Sequence, residues 1–271
     1  MSALELIDIG INLGHDTYDG DREAVLARAL EAGVRQMVVT GTSLDGTPKA
    51  IEVARAHPER LRATAGCHPH HALELETAAA VAQLAALAAS PEVVALGECG
   101  LDYYRDLAPR DVQRHAFEQQ LELAVALRKP VFLHVREAHA DFIAILRARR
   151  DSLVDAVAHC FTGSREEMVD CLDLGLAIGI TGWICDERRG HHLLDIVGLV
   201  PPGRLMIETD GPYLLPRDLN PKPRSRRNEP MYLPHIAGVI AKARGESLEQ
   251  LAAHTTATAR AFFGLTPPGV F

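Results

Sequence analysis

The chain has no C-x-x-C pair, and its cysteines (67, 99, 160, 171 and 185) are five, an odd number. That pattern argues against a disulfide framework or a cysteine-rich zinc site and suits a reducing cytoplasm. An apolar run long enough for a bilayer is also missing. The most apolar region, 77–96, is interrupted by Gln83, Ser90, Pro91 and Glu92, whereas a span needs about 20 nearly unbroken apolar residues. Glu5 and Asp8 stand at the start in place of a basic segment and an apolar h-region, so no secretory signal and no membrane partner are expected. No G-x-G-x-x-G follows the first apolar run, which weakens a dinucleotide-binding reading. Fixed-period repeats, low-complexity tracts and clear linkers are lacking as well, and a single domain over residues 1–271 is the expectation. Positive charge is in short supply: the formal net charge is −8, unlike that of a general polyanion binder. Charges are screened beyond about 8 Å at physiological salt, however, so a local basic cluster can still grip a phosphate.

What is present is an ordinary soluble composition, 47% hydrophobic and 24% charged over 271 residues, with enough length for a real core. Short apolar runs recur at Leu6–Ile11, Gln36–Thr40, Leu61–Gly66, Val93–Gly97, Val131–His134, Ala156–His159, Ala177–Thr181 and Leu205–Glu208. Between them lie stripes with three- and four-residue spacing, such as Phe117, Leu121, Ala124 and Val125. Strands alternating with helices imply parallel βαβ units, and nearly continuous apolar runs are what strands covered on both faces look like. Eight units in this length predict an α/β fold, a (β/α)8 TIM barrel, with an open doubly wound sheet as the alternative. A last helix is expected near 247–263, and 212–234, rich in proline and arginine, reads as a long functional loop.

In such a barrel the active site lies at the carboxyl ends of the strands. Those ends carry Glu98, His134, His159 and Asp210, spaced by one, one and two units of about 30 residues. His68 and His70 in "GCHPHH" follow the third strand. A buried carboxylate needs compensation, and a divalent ion held by imidazoles and carboxylates supplies it. One histidine ending a strand is usually just a hydrogen-bonding residue; coincident ligands on several strand ends favour the metal reading. His70 and His71 read as surface residues. Cys99 and Cys160 alternate away from the ligands and read as small packing residues under the helices.

The stretches "GECGLDYY", "VFLHVRE", "AHCFTGS" and "IETDGPYLLPRDLNPKP" resemble the TatD-type metal-dependent nucleases, and "GITGWICDERRG" and "SRRNEP" fit the TatD subfamily. The resemblance covers essentially the whole chain. It implies a (β/α)8 barrel, a divalent metal and phosphodiester hydrolysis, with 3′→5′ exonuclease action on single-stranded DNA or RNA. It also implies metal ligands at Glu98, His134 and His159, with Asp210 in the catalytic aspartate position. Where many members of the wider family carry D-x-H-x-H after strand one, this chain has Asp8, Gly10 and Asn12. Two imidazoles are therefore missing, which favours Mg2+ or Mn2+, as one ion or two, over a preformed two-zinc centre.

On that basis Glu98 and Asp210 are expected to hold metal and take part in catalysis, and His68 to contact the phosphate or protonate the leaving oxygen. Substrate contacts are expected from Arg136, from Arg224, Arg226 and Arg227 in the long loop, from Tyr103 or Tyr104 by base stacking, and from Asn12. A monomer is expected. Two rival functions stand beside this one: a barrel hydrolase cleaving an amide or ester, including an aminoacyl ester on tRNA, and a non-catalytic binding protein. Lys129 in "LRKP" precedes strand five, at the wrong rim for a carbamylated-lysine two-metal site.

Overall fold

A computed structural model describes residues 4–267 and 269. Its strands are β1 Leu6–Ile11, β2 Val34–Val39, β3 Leu61–Ala65, β4 Val93–Asp102, β5 Val131–Arg136, β6 Ala156–Ala158, β7 Ala177–Ile180 and β8 Leu205–Ile207. They pair in chain order, β1 to β8, in one eight-stranded sheet. The two ends of that order meet: the Asp210 amide donates to Gly10 O at 2.8 Å, and the Asn12 amide donates to Gly211 O at 2.9 Å. Helices alternate with the strands, and Leu248–Phe263 closes the chain, so the (β/α)8 barrel is the fold. Every residue of β1, β6, β7 and β8 is buried, as expected of strands covered on both faces. No helix among the described residues is long and apolar enough to cross a membrane.

Internal contacts gather the chain into two compact units. One contains the residues through Val38, Cys160–Ser164 and the chain from Ala177 onward. The other contains Val39–His159 and Arg165–Leu176. Within the second, β3, β4, β5 and β6 pair in parallel, so the residues leaving their carboxyl ends are neighbours.

One strand departs from expectation in a way that matters. β4 does not stop at Gly97 but continues to Asp102, with its register broken between Leu96 and Cys99. Gly97 and Gly100 have φ of +132° and +142°, which side chains resist. A Cβ would also lie 2.1 Å from Phe132 O at Gly97 and 1.9 Å from His134 O at Gly100. The two glycines let the strand run close against β5 while its register shifts, and such irregularities re-aim a side chain. Glu98 lies between them.

Candidate metal centre

Glu98 is buried, its amide anchored to Gly41 O at 2.8 Å. Its Oε1 faces three imidazoles: His159 Nε2 at 2.7 Å, His134 Nδ1 at 3.0 Å and His68 Nε2 at 3.4 Å. These side chains come from the ends of β3, β5 and β6 and from within β4. Burial by itself would raise the Glu98 pKa, but His159, His68 and His134 hold the carboxyl well below the usual carboxylate range. Burial drives His68 well below the ordinary imidazole value. For His134 burial pulls the same way, but the Asp102 and Glu98 carboxylates raise it overall.

Behind these groups stands Asp102, almost fully buried. Its Oδ2 lies 2.8 Å from His70 Nε2 and 3.5 Å from His134 Nε2. Its Oδ1 accepts the amides of Tyr104 at 3.0 Å and Arg105 at 2.8 Å, and its own amide donates to Gln113 Oε1 at 2.9 Å. A carboxylate held from so many sides fixes the His70 ring it bonds and places its charge beside His134.

The other compact unit carries its own polar group after β1 and β8. Asn12 Nδ2 donates to Asp210 Oδ1 and to Gly211 O, each at 3.1 Å. Asp210 has φ +53°, a conformation aspartate tolerates better than most residues. Asp8 is fully buried, with Oδ1 accepting the amides of Thr209 at 2.9 Å and Gly10 at 3.2 Å while the Thr209 hydroxyl donates to Oδ2. Burial outweighs these bonds and pushes its pKa up to about 7. Glu208 is likewise buried, and its Oε1 accepts the Cys160 amide at 2.5 Å.

Residues 7–264 match the family model of TatD-related DNases. The chain is 52% identical over 260 residues to the 3′-5′ ssDNA/RNA exonuclease TatD of Erwinia amylovora, covering 96% of this chain and all of that one. Among solved structures, a TatD-family hydrolase from Entamoeba histolytica superposes with a TM-score of 0.87 at 28% identity, over 98% of this chain and all of that one. The TatD homolog YJJV from Escherichia coli gives the same TM-score at 26% identity, over 97% of this chain and all of that one.

The chain belongs to the TatD-related DNase family. Members are metal-dependent hydrolases, and the residues present fit a divalent ion. One donor atom each from His68, Glu98 and His134 lies within 4.8 Å of the others, with His159 against the same carboxylate oxygen. Buried imidazole and carboxylate donors with a second carboxylate behind one ring are a common way to hold such an ion.

Against this TatD-related geometry several expectations need correction. His70 is not a surface residue: it is half-buried, bonds Asp102 and packs edge-on to His68 with ring centroids 4.1 Å apart. His71 is exposed, as expected, and pairs with Glu74. Tyr103 does not present a free ring. Its hydroxyl donates to Asp141 at 2.6 Å, and the Arg110 guanidinium covers its face. Tyr104 is the exposed one, with the Arg136 guanidinium 3.9 Å above its ring. Arg227 is spent within the fold: it bonds Asp21 at 2.7 and 2.8 Å, Glu229 at 2.7 Å and Thr17 O at 2.6 Å. Arg224 and Arg226 remain exposed, and Arg226 lines a cavity of about 510 Å³ with Trp183, Arg188, Arg189 and Lys222. Cys99 is fully buried as expected, whereas Cys160 is partly exposed and its sulfur sits 3.6 Å from the Thr181 hydroxyl.

Asp102 and Glu208 carry no expectation from the sequence. Asp102 had a legible signal, lying four residues beyond Glu98 and so on the same face of a continuing strand. Ending that strand at Gly97 hides it. Glu208 reads as an ordinary strand end until Cys160 is brought against it. Lys129 is where its position implies, at the foot of β4, where its Nζ donates to Ala88 O and Val93 O.

Proposed function

We propose that this TatD-related chain is a divalent-metal-dependent 3′→5′ exonuclease on single-stranded DNA or RNA, using Mg2+ or Mn2+. The observation that carries this reading is the convergence of His159, His134 and His68 on one buried oxygen of Glu98. The activity named for the Erwinia amylovora relative supports the substrate class and the direction of digestion. Glu98, His134 and His159 would hold the ion. Bound there, a divalent cation supplies charge relief on phosphate oxygens and a more acidic water.

The remaining work falls to the chain's own groups. Asp102 holds the ring of His70 by a hydrogen bond and sets a negative charge 3.5 Å from His134 Nε2. His68, facing the same Glu98 oxygen, is placed to donate to a phosphate or leaving oxygen. Asp210, whose carboxylate accepts from Asn12, is assigned the proton-accepting role from the family pattern. Arg136 stacked on exposed Tyr104 offers a cation for phosphate beside an aromatic face for a base. Arg226 is a second phosphate contact. No strand-end lysine is on hand for an amidohydrolase-type bridge, since Lys129 is engaged at the other end of β4.

The test uses a 5′-labelled single-stranded oligonucleotide with Mg2+ or Mn2+. The expected product is a ladder shortening one nucleotide at a time from the 3′ end. Glu98→Ala should abolish it while the circular dichroism spectrum is unchanged. Full activity in that variant, or cleavage confined to internal positions, would overturn the reading.

A further inference from the structure

A second set of ligand-type side chains, sharing no residue with the histidine cluster, lies wholly within the unit that contains β7 and β8. Cys185 ends the single turn Gly182–Cys185 that follows β7. Asp218 lies in the irregular stretch after β8, and His235 lies in the first turn of helix Leu233–Arg244. One donor atom from each lies within 4.8 Å of the other two, and His235 Nε2 stands 2.7 Å from Asp218 Oδ1. Cys185 is buried, while Asp218 is exposed and His235 partly so, which gives an ion a way in from solvent. Among the described residues this is the one group of its kind that contains a cysteine.

Core filling does not account for the three residues, since only Cys185 is buried while Asp218 is exposed and His235 partly so. Burial, the Asp218 charge and a hydrogen bond to Asp218 all push the Cys185 thiol up, so without an ion it stays neutral. A thiol, an imidazole and a carboxylate on three separate segments do, however, form a serviceable ligand set for a borderline-soft divalent ion. We propose that Cys185, Asp218 and His235 form a second metal site, selective for Zn2+-like ions and distinct in chemistry from the sulfur-free centre at Glu98. On binding, the Cys185 proton leaves to solvent, the thiolate, the Asp218 oxygen and a His235 nitrogen take three positions, and water completes the shell. Hard ions such as Mg2+ do not compete, because they prefer oxygen donors.

Such a site would pin the irregular stretch after β8 to the turn after β7 and to the following helix. That stretch carries Arg217, Lys222 and Arg226, which line the 510 Å³ cavity with Trp183. Zinc would therefore order a basic surface that includes Trp183. This inference does not depend on the proposed exonuclease activity.

The test is spectroscopic. Co2+ is titrated into the purified protein in excess Mg2+, and a sulfur-to-cobalt charge-transfer band is sought in the near ultraviolet. The Glu98 centre has no sulfur and cannot produce one. The expected result is a band that saturates at one equivalent, is displaced by Zn2+, and is lost in Cys185→Ser and in His235→Gln. Zn2+ should also slow tryptic cleavage after Arg224 in the native protein but not in either variant. Using two variants keeps the result readable if one folds poorly. The absence of any charge-transfer band in the native protein, or a band that persists in both variants, would overturn the proposal.

Discussion

Glu98, His134 and His159 are readable from the sequence because each follows an apolar run, and parallel strands bring successive run-ends together. His70 and Asp102 are not readable in the same way. Their pairing at 2.8 Å depends on β4 running past Glu98, and an apolar run that stops at Gly97 hides that continuation. Asp102 is the residue whose removal should separate positioning from ligation. Asp102→Asn keeps the shape but loses the charge behind His134. It should lower activity about 10- to 100-fold at limiting metal and recover part of that at saturating Mn2+. Metal-dependence curves for the two proteins check this, and superimposable curves would remove Asp102 from the site. Asp8 makes a different prediction. Its folded pKa of about 7 lies above the ordinary aspartate value, so the neutral form is favoured on folding. The stability it contributes is fully present below about pH 4 and is lost as pH rises toward 7, by about 4 kcal/mol if the whole shift is realised. Asp8→Asn should therefore show a flatter fall in urea midpoint between pH 4.5 and 7, measured in chelator, than the native chain. Parallel pH profiles would contradict this.

The strands were the easiest elements to anticipate, and for a physical reason: helices cover both faces of a barrel strand, so apolar character is continuous and the run marks the element. β1 matches its expected span, Leu6–Ile11, and the closing helix falls at Leu248–Phe263 where 247–263 was expected. Ends are set by hydrogen bonding rather than by hydrophobicity, which is why β4 gains five residues and β8 stops one short, at Ile207. The decisive element is β4, whose glycines are packing requirements. In Gly100→Ala a Cβ would meet His134 O at 1.9 Å, and φ of +142° adds strain. The cost should exceed about 3 kcal/mol in urea unfolding, well above that of an ordinary surface change. Because the displaced carbonyl belongs to His134, a proposed ligand, metal affinity should fall with stability. Near-native stability would mean that β4 has room to relax.

At the scale of the whole molecule, a net charge of −8 sets an acidic chain against a polyanionic substrate, so binding must rely on local cations. The sequence points to three arginines in one loop, but it cannot show which of them the fold consumes. Arg227 lies among Asp21, Glu229 and Thr17, whereas Arg226 borders open space. Arg226→Ala should reduce the slope of log affinity against log salt by about 0.7 for a single-stranded oligonucleotide. Arg227→Ala should leave that slope unchanged while lowering stability by about 1 kcal/mol through its lost ion pairs. Fluorescence anisotropy over a salt series, together with thermal melts, distinguishes the two roles. The reverse assignment would show that the loop rearranges on binding.

Lys129, with its ammonium settled on the carbonyls of Ala88 and Val93, bears on how such a protein can change over time. It is tied to the foot of β4, while His134, five residues further on, faces Glu98 in the candidate metal centre. Novelty can accumulate around the histidine without disturbing the lysine's anchorage. A mutational library confined to the loops that follow the strands should therefore yield altered specificities far more often than misfolded chains.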